Sequence, residues 1–442
     1  MPKQTEDGLS SLSGGAIAAK LHVTAIPLRL RVIAYLAILS GYFFYCYNFL
    51  LPGYIRPYLI SQFGQTLNET AGITAAQNIG VTIGSLVSAT VIARRGKRWT
   101  AAVIAIGSGV LTLGCLFVES GWGWILLRGG VTFFLGGYYV AAVSMTVALF
   151  PQAYRARLQA LNSGMFSCAE IGLGALGAIF GDTGWMMLIW AGGLPPLLIA
   201  LLIFRFVPDD RNIIAYGEEK DQDQPEAERR QGSWAEMLSP FWRRYTFSCV
   251  VMAGTNFTGY QLFSEFVTLY LRQERSFDAV EIGLAFSLIG LGSFIGGFFW
   301  AWISDRHGRR MPSYGFFGAA VAIGAFLTVP HNPGLIKTLG FIYGFCLSCT
   351  YPWGIWFTEI YPARLRSYAA ALLHGGHIIS IIAPFGVSLI AGHYGIGAGM
   401  ALAPVVFVAG AILWRTLPET VRASRGFRGW DCDRRPAEIQ GA

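Results

Sequence analysis

Glu170 is the only charged residue in the apolar run Leu158–Phe180. It stands twelve residues in, which on a helix rising 1.5 Å per residue is about 18 Å deep. An ionisable group near the middle of a ~30 Å hydrocarbon layer is costly, so its presence points to function by default. A carboxyl there can carry a proton or contact a solute, or it can stay neutral and hydrogen-bond a neighbouring helix. His374 and His377 occupy a second run, Ser367–Ile390, roughly 12 to 16 Å from its start. Imidazole titrates near neutrality, which suits proton transfer, although either ring would serve equally as a neutral core residue. These three are the candidate proton-coupling groups.

Other polar residues in apolar runs are candidates for holding a small molecule. Tyr42, Tyr45 and Asn48 fall three apart on one helix face, and Asn256 and Tyr260 fall four apart. Trp353 and Trp356 flank Gly354 just after Pro352. Aromatic rings with a few amides make a plausible binding wall. In a chain that is 14% aromatic, each ring alone fits packing equally well. Arg128 lies about a turn and a half into its run. It could be the counter-charge of an anionic solute, a structural ion-pair partner or a side chain snorkelling to the interface. Thr258, Gln261, Glu265 and Thr268 share one polar face, expected to line an open vestibule, with snorkelling the competing reading for Glu265. The solute-binding set is therefore Tyr45, Asn48, Arg128, Asn256, Tyr260, Gln261, Trp353 and Trp356. No H-E-x-x-H cluster, G-x-S-x-G elbow or P-loop occurs. No metal, no cofactor and no enzymatic activity are expected.

The elements that position these groups follow from composition. Of 442 residues, 54% are hydrophobic and 13% charged, well below the usual quarter of a soluble domain. Twelve stretches are long enough to span a bilayer: roughly 32–54, 72–93, 99–118, 122–149, 158–180, 185–206, 245–270, 281–303, 313–329, 334–357, 367–390 and 395–414. They do not alternate like barrel strands, so they read as helices. The net charge of +8 invites a nucleic-acid reading, but its placement excludes it. Of 33 Lys and Arg residues, 28 fall on one side of the spans, four (Arg56, Arg272, Arg275, Lys337) on the other, and Arg128 within a span. That asymmetry predicts a multi-pass cell-membrane protein with both termini cytoplasmic. Six of the seven cysteines fall within spans, and Cys346-x-x-Cys349 reads as helix packing. Residues 1–31 lack a signal-peptide pattern. Asn68-Glu69-Thr70 is a sequon expected on the outer side.

The spans divide six and six, and loops echo between the halves. Arg94-Arg95-Gly96-Lys97-Arg98 returns as Arg306-His307-Gly308-Arg309-Arg310, with the glycines 212 apart. Phe150-Pro151-Gln152-Ala153-Tyr154-Arg155 returns as Tyr361-Pro362-Ala363-Arg364-Leu365-Arg366, 211 apart. Phe206-Val207-Pro208-Asp209 returns as Thr416-Leu417-Pro418-Glu419, 210 apart. Three echoes at nearly one offset imply duplication, and paired six-span repeats place a solute site at their interface. By the same offset Gly164 matches Gly375, which puts Glu170 and the histidines at comparable depths on equivalent spans. The expected organisation is an N-terminal tail (1–31), a six-helix bundle (32–207), a polar cytosolic linker (208–244) with a short helix near Trp234, a second bundle (245–414) and a basic tail (415–442).

These loops carry a family resemblance. Ser304-Asp305-Arg306-His307-Gly308-Arg309-Arg310 resembles the D-R-x-G-R-R signature of the major facilitator superfamily. Glu359-Ile360-Tyr361-Pro362 with Arg366 resembles its E-x-[FY]-P-x-x-x-R element, and Pro418-Glu419-Thr420 the P-E-[ST] of its sugar-porter and organic-acid:proton symporter branches. The resemblance implies an all-α integral membrane fold, twelve transmembrane helices in two pseudo-symmetric six-helix bundles. It also implies a conformational clamp at Arg94, Gly96, Arg155, Asp305, Arg306, Gly308, Arg309, Glu359 and Arg366. Ala93 and Ala148 stand where the first half would carry acids, so its clamp is expected to be the weaker. Tyr45-Cys46-Tyr47-Asn48 replaces the D-x-[FY]-D of the organic-acid branch, which shifts proton coupling to Glu170. The expected function is proton-coupled uptake of a small organic acid by a monomer in contact with solute, protons and lipids. An uncoupled facilitator is the alternative, and a transporter-like sensor a third reading.

Overall fold

The computed structural model describes residues 21–209, 213–214, 233–362 and 365–421. The acidic linker runs Glu218–Asp221 and Glu226–Arg230, the first twenty residues and Cys432 lie outside them. Among the described residues nine helices are long and apolar enough to cross a membrane. Helix Ser313–Thr328 is shorter and supplies span 9. Spans 7 and 10 complete the twelve as interrupted helices. Span 7 is Arg243–Phe263 followed by Val267–Gln273. Span 10 is Pro333–Leu347, a 3-10 turn at Ser348–Thr350, and Trp353–Ile360.

Span 1 departs most from expectation. Its helix runs Leu28–Phe63, 36 residues rather than the 23 of 32–54. Arg56, expected beyond the span, is thereby carried into the protein interior. Pro52 and Pro57 lie inside this helix and supply no N–H to the carbonyls four residues before them. The freed Asn48 carbonyl accepts from Arg128 Nη2 of span 4, and the freed Gly53 carbonyl from Thr268 Oγ1 of span 7 at 2.8 Å. Pro196 in span 6 (Met186–Phe206) likewise frees the Gly192 carbonyl, which takes Asn48 Nδ2 at 2.7 Å. Each proline thus converts a local helix bond into a tie between spans.

The duplication is visible in backbone packing. Span 2 (Leu67–Arg95) presses Gly80 and Gly84 onto the carbonyls of Gly129 and Phe133 in span 4. Span 8 (Ala279–His307) presses Gly292 and Gly296 onto those of Phe341 and Phe345 in span 10, every position 212 residues on. Close approach needs glycine here, because a Cβ would collide with the neighbouring backbone. Span 4 breaks at Gly136–Gly137, between Gly121–Leu135 and Tyr138–Leu149, and the 211 offset lands on the break in span 10. The two bundles meet along span 5 (Gln152–Phe180) and span 8, where Gly174 and Gly283 each face the other's carbonyl. Cys349 and Cys346 pack on Gly315 and Gly318 of span 9. A two-residue parallel pairing joins Leu21–His22 to Ile213–Ile214.

Candidate solute site and its closures

Glu170 sits midway along span 5 with its Cβ against Gly290 of span 8. It is buried at the interface between bundles, and its Oε1 has no hydrogen-bond partner. Among the described residues Tyr260 in span 7 and Tyr343 and Tyr351 in span 10 lie near it. No cation pairs with it among the described residues. Beside it Tyr351 exchanges a 2.7 Å hydrogen bond with Ser167, and Phe166 meets the Tyr260 ring edge-on. Tyr42 and Tyr45 stack 5.2 Å apart on the span 1 face, as their spacing predicts.

Span 11, broken between Arg366–Ser380 and Ala383–Tyr394, brings the histidines to the same interface. Both ring nitrogens of His374 are buried without a partner, and its ring meets Tyr139 of span 4. Tyr139 and Tyr351 are 212 apart, so two equivalent tyrosines each reach across to the opposite bundle. His377 is differently placed. It lies flat on Phe257 and bonds Asn78 Oδ1 at 3.0 Å, where Gln261 Nε2 also donates at 2.9 Å. Asn78 escaped the sequence reading, its only signal being the amide pair Gln77-Asn78 in mid-span. Asn256 Oδ1, Thr258 Oγ1 and Gln261 Oε1 remain buried and unpaired nearby in sequence.

Three members of the expected solute set are spent on packing. Asn48 is fully buried, donates to Phe44 O and Gly192 O, and accepts from Thr112 Oγ1, so it ties spans 1, 3 and 6 together. Trp353 and Trp356 lie in the second bundle's own core against Trp414, and the Trp356 indole donates to Pro418 O. The helix Trp353–Ile360 that follows Pro352 turns them into that core, a direction that spacing alone does not give. Arg128 is fully buried and does not snorkel; Nη2 bonds Asn48 O, and the Cys115 thiol lies beside the guanidinium. Glu265 lines no open vestibule. The break at Ser264–Phe266 turns it inward onto Arg56 at 3.3 Å, with the two side chains 3% and 1% exposed.

That pair belongs to a set of contacts closing one end of the interface. Thr74 Oγ1 bonds both Arg56 and Glu265, Arg272 pairs with Asp182 at 3.0 Å, and Ser388 bonds Asn68. At the other, basic end lies the clamp. Arg309 grips Glu359 through two bonds of 2.9 and 2.7 Å and Asp305 through one of 2.6 Å. Glu419, whose role the sequence reading left unassigned, accepts from the backbone N–H groups of Arg309 and Arg310. Gly308 and Gly96 both have positive φ, 106° and 85°, at the two equivalent loops. Arg306 lies over Trp302 rather than in the clamp. In the first half Arg98 reaches Val207 O and, at 3.8 Å, Asp209, echoing Arg310 on Leu417 O. The Arg155 and Arg366 side chains lie outside the described part, and Arg94 is exposed.

The family model described as Major Facilitator Superfamily matches residues 36–280 and 249–431. The chain belongs to this superfamily. It is a multi-pass membrane transporter, not an enzyme. It is similar to the niacin transporter NiaP of Acinetobacter baylyi, 25% identical over 76% of this chain and 81% of that protein. The cis,cis-muconate transport protein of the same organism is 23% identical over 83% and 89%. Its 4-hydroxybenzoate transporter PcaK is 24% identical over 73% and 76%. Among solved structures the fold matches a D-xylose-proton symporter with a TM-score of 0.70 at 16% identity, over 89% of this chain and 99% of that one. It matches a bacterial homologue of the lysosomal transporter Spinster in an inward-facing state equally well, at 0.70. The superfamily fold therefore holds the partnerless carboxyl of Glu170 between its two halves.

Proposed function

We propose that this transporter couples inward movement of protons to uptake of a small organic acid by alternating access, with Glu170 as the proton carrier, assisted by His374. The observation that carries the reading is a buried carboxyl midway along span 5, between the two bundles, with no hydrogen bond on Oε1 and no cation paired with it among the described residues. Such a group is tolerated only if it is protonated or has a ligand for part of the cycle. The solute class is supported by the relatives, whose named substrates niacin, cis,cis-muconate and 4-hydroxybenzoate are all carboxylic acids. Tyr45, Asn256, Tyr260 and Gln261 are the proposed solute contacts. The basic end faces the cytoplasm and the Arg56–Glu265 end faces outward, by the 28-to-4 placement of Lys and Arg.

The test is uptake into proteoliposomes of labelled benzoate, nicotinate, 4-hydroxybenzoate and cis,cis-muconate, with and without an imposed pH gradient. Accumulation above equilibrium only with the inside alkaline supports the proposal. Equilibration without accumulation supports the uncoupled facilitator, a reading favoured by the absence of acids from Tyr45-Cys46-Tyr47-Asn48.

A further inference from the structure

Two arginine–glutamate pairs in this molecule, one half-buried and one fully buried, are built differently. Arg309 and Glu359 meet as a two-pronged fork at 2.7 and 2.9 Å, and Asp305 and Ser304 take the remaining nitrogen. That is the geometry of a permanent charge-assisted pair. Arg56 and Glu265 meet through one nitrogen at 3.3 Å, and Glu265 shares that oxygen with Thr74. Arg56 Nε and Nη1 have no partner although the residue is 1% exposed. Its guanidinium lies over the Phe266 ring at 3.9 Å, a flat seat that holds the fork in place. Gly53 makes the room, since a Cβ there would come 2.7 Å from Glu265 Oε2. Each two-pronged edge of the guanidinium, Nε with Nη2 or Nη1 with Nη2, is therefore half used, and a better-seated carboxylate completes an edge only by displacing Glu265 from Nη2.

We infer that Arg56 is the outer carboxylate-binding site of this transporter, and that Glu265 is a built-in competitor which fills it imperfectly when the outer end is closed. This rests on the organic-acid reading. An incoming carboxylate takes the fork of Arg56 and releases Glu265 and Thr74, which removes the charged tie of span 7 to spans 1 and 2 and leaves only the neutral bonds of Thr268 to Gly53 and Gln261 to Asn78. When the solute moves inward, Glu265 returns and the end closes again. Glu265 thus sets both the affinity for solute on entry and the stability of closure. No covalent change is involved, only the exchange of one carboxylate for another on the same guanidinium.

The experiment is equilibrium binding to the purified full chain, read by thermal shift and intrinsic tryptophan fluorescence. The probes are benzoate, nicotinate, 4-hydroxybenzoate and cis,cis-muconate, with benzamide and nicotinamide as uncharged controls. For whichever carboxylate binds wild type, Glu265→Gln should bind about tenfold tighter, and Thr74→Val should shift the same way by less. Arg56→Gln should weaken binding by more than about tenfold, while the amides show no such dependence on Arg56. If Glu265→Gln or, should that variant not fold, Thr74→Val binds the carboxylate no tighter than wild type, the pair is a latch only and the inference fails alone. If no carboxylate binds wild type but an amide does, the organic-acid reading fails and takes this inference with it.

Discussion

At the scale of single residues the sharpest consequence concerns Glu170. Glutamine at 170 keeps the shape and mimics the protonated acid permanently. Glu170→Gln should abolish accumulation driven by a pH gradient while sparing exchange of labelled for unlabelled solute, which needs no net proton movement. Counter-flow and gradient-driven uptake in the same vesicles measure both, and accumulation that survives the substitution would remove Glu170 from the mechanism. The clamp gives a second expectation. Glu359 holds Arg309 with two bonds from a site 30% exposed, whereas Asp305 is 72% exposed. Glu359→Gln should therefore cost about 1–3 kcal/mol and lower the melting temperature, with Asp305→Asn costing less. Equal losses in a thermal melt would contradict the ranking. The burial of Glu170 between the bundles was legible in the sequence, because a lone acid in the middle of an apolar run must lie within the membrane-spanning part. Asn78 and the Arg56–Glu265 pairing were not, because a polar residue's partner on another helix leaves no mark in its own neighbourhood. Asn48 misled for the complementary reason. Its partners, Gly192 O and Thr112, are fixed by a proline in span 6 and by a helix it does not adjoin in sequence.

At the scale of elements the spans were readable and their interruptions were not. Hydropathy marks where a helix is buried, but a break of two or three residues inside an apolar run changes neither length nor composition. The breaks decide much of the site. Ser264–Phe266 turns Glu265 inward, and the turn at 348–352 directs Tyr351 to Ser167 while sending the tryptophans into the bundle core. The prolines of span 1 give a test at this scale. Pro57→Ala restores an N–H within reach of the Gly53 carbonyl, in competition with Thr268. The tie between spans 1 and 7 should loosen. A cysteine pair at Asn68 and Ser388, whose side chains now bond at 2.9 Å, reports closure of that end through oxidative cross-linking. Its yield should fall by about half or more in the Pro57→Ala background, given the ~1 kcal/mol of one hydrogen bond. An unchanged yield would mean that Thr268 contributes nothing to closure.

At the scale of the whole molecule the duplication was legible from three loop echoes, and the paired glycines at 80 and 292, 84 and 296 show how deep it runs. Orientation has its own test. A thiol placed at Asn68 should react with an impermeant reagent on intact cells, and Cys432 should react only after permeabilisation. The reverse pattern would invert the assignment of the two ends. The two halves are equal in plan, but Ala93 and Ala148 stand in the first where Asp305 and Glu359 hold Arg309 in the second. The meeting of Gly174 with Gly283 has a mechanical meaning. Backbone lies on backbone there, with only the small side chains of Ala178 and Ser287 beside it, and Ser287 Oγ donates to Ile171 O across the joint. A joint of that kind behaves as a plain bearing rather than a gear. In the proposed alternating-access cycle one half would roll on the other without lifting away, and the axle of the motion would stay shut to water while the ends on either side opened in turn.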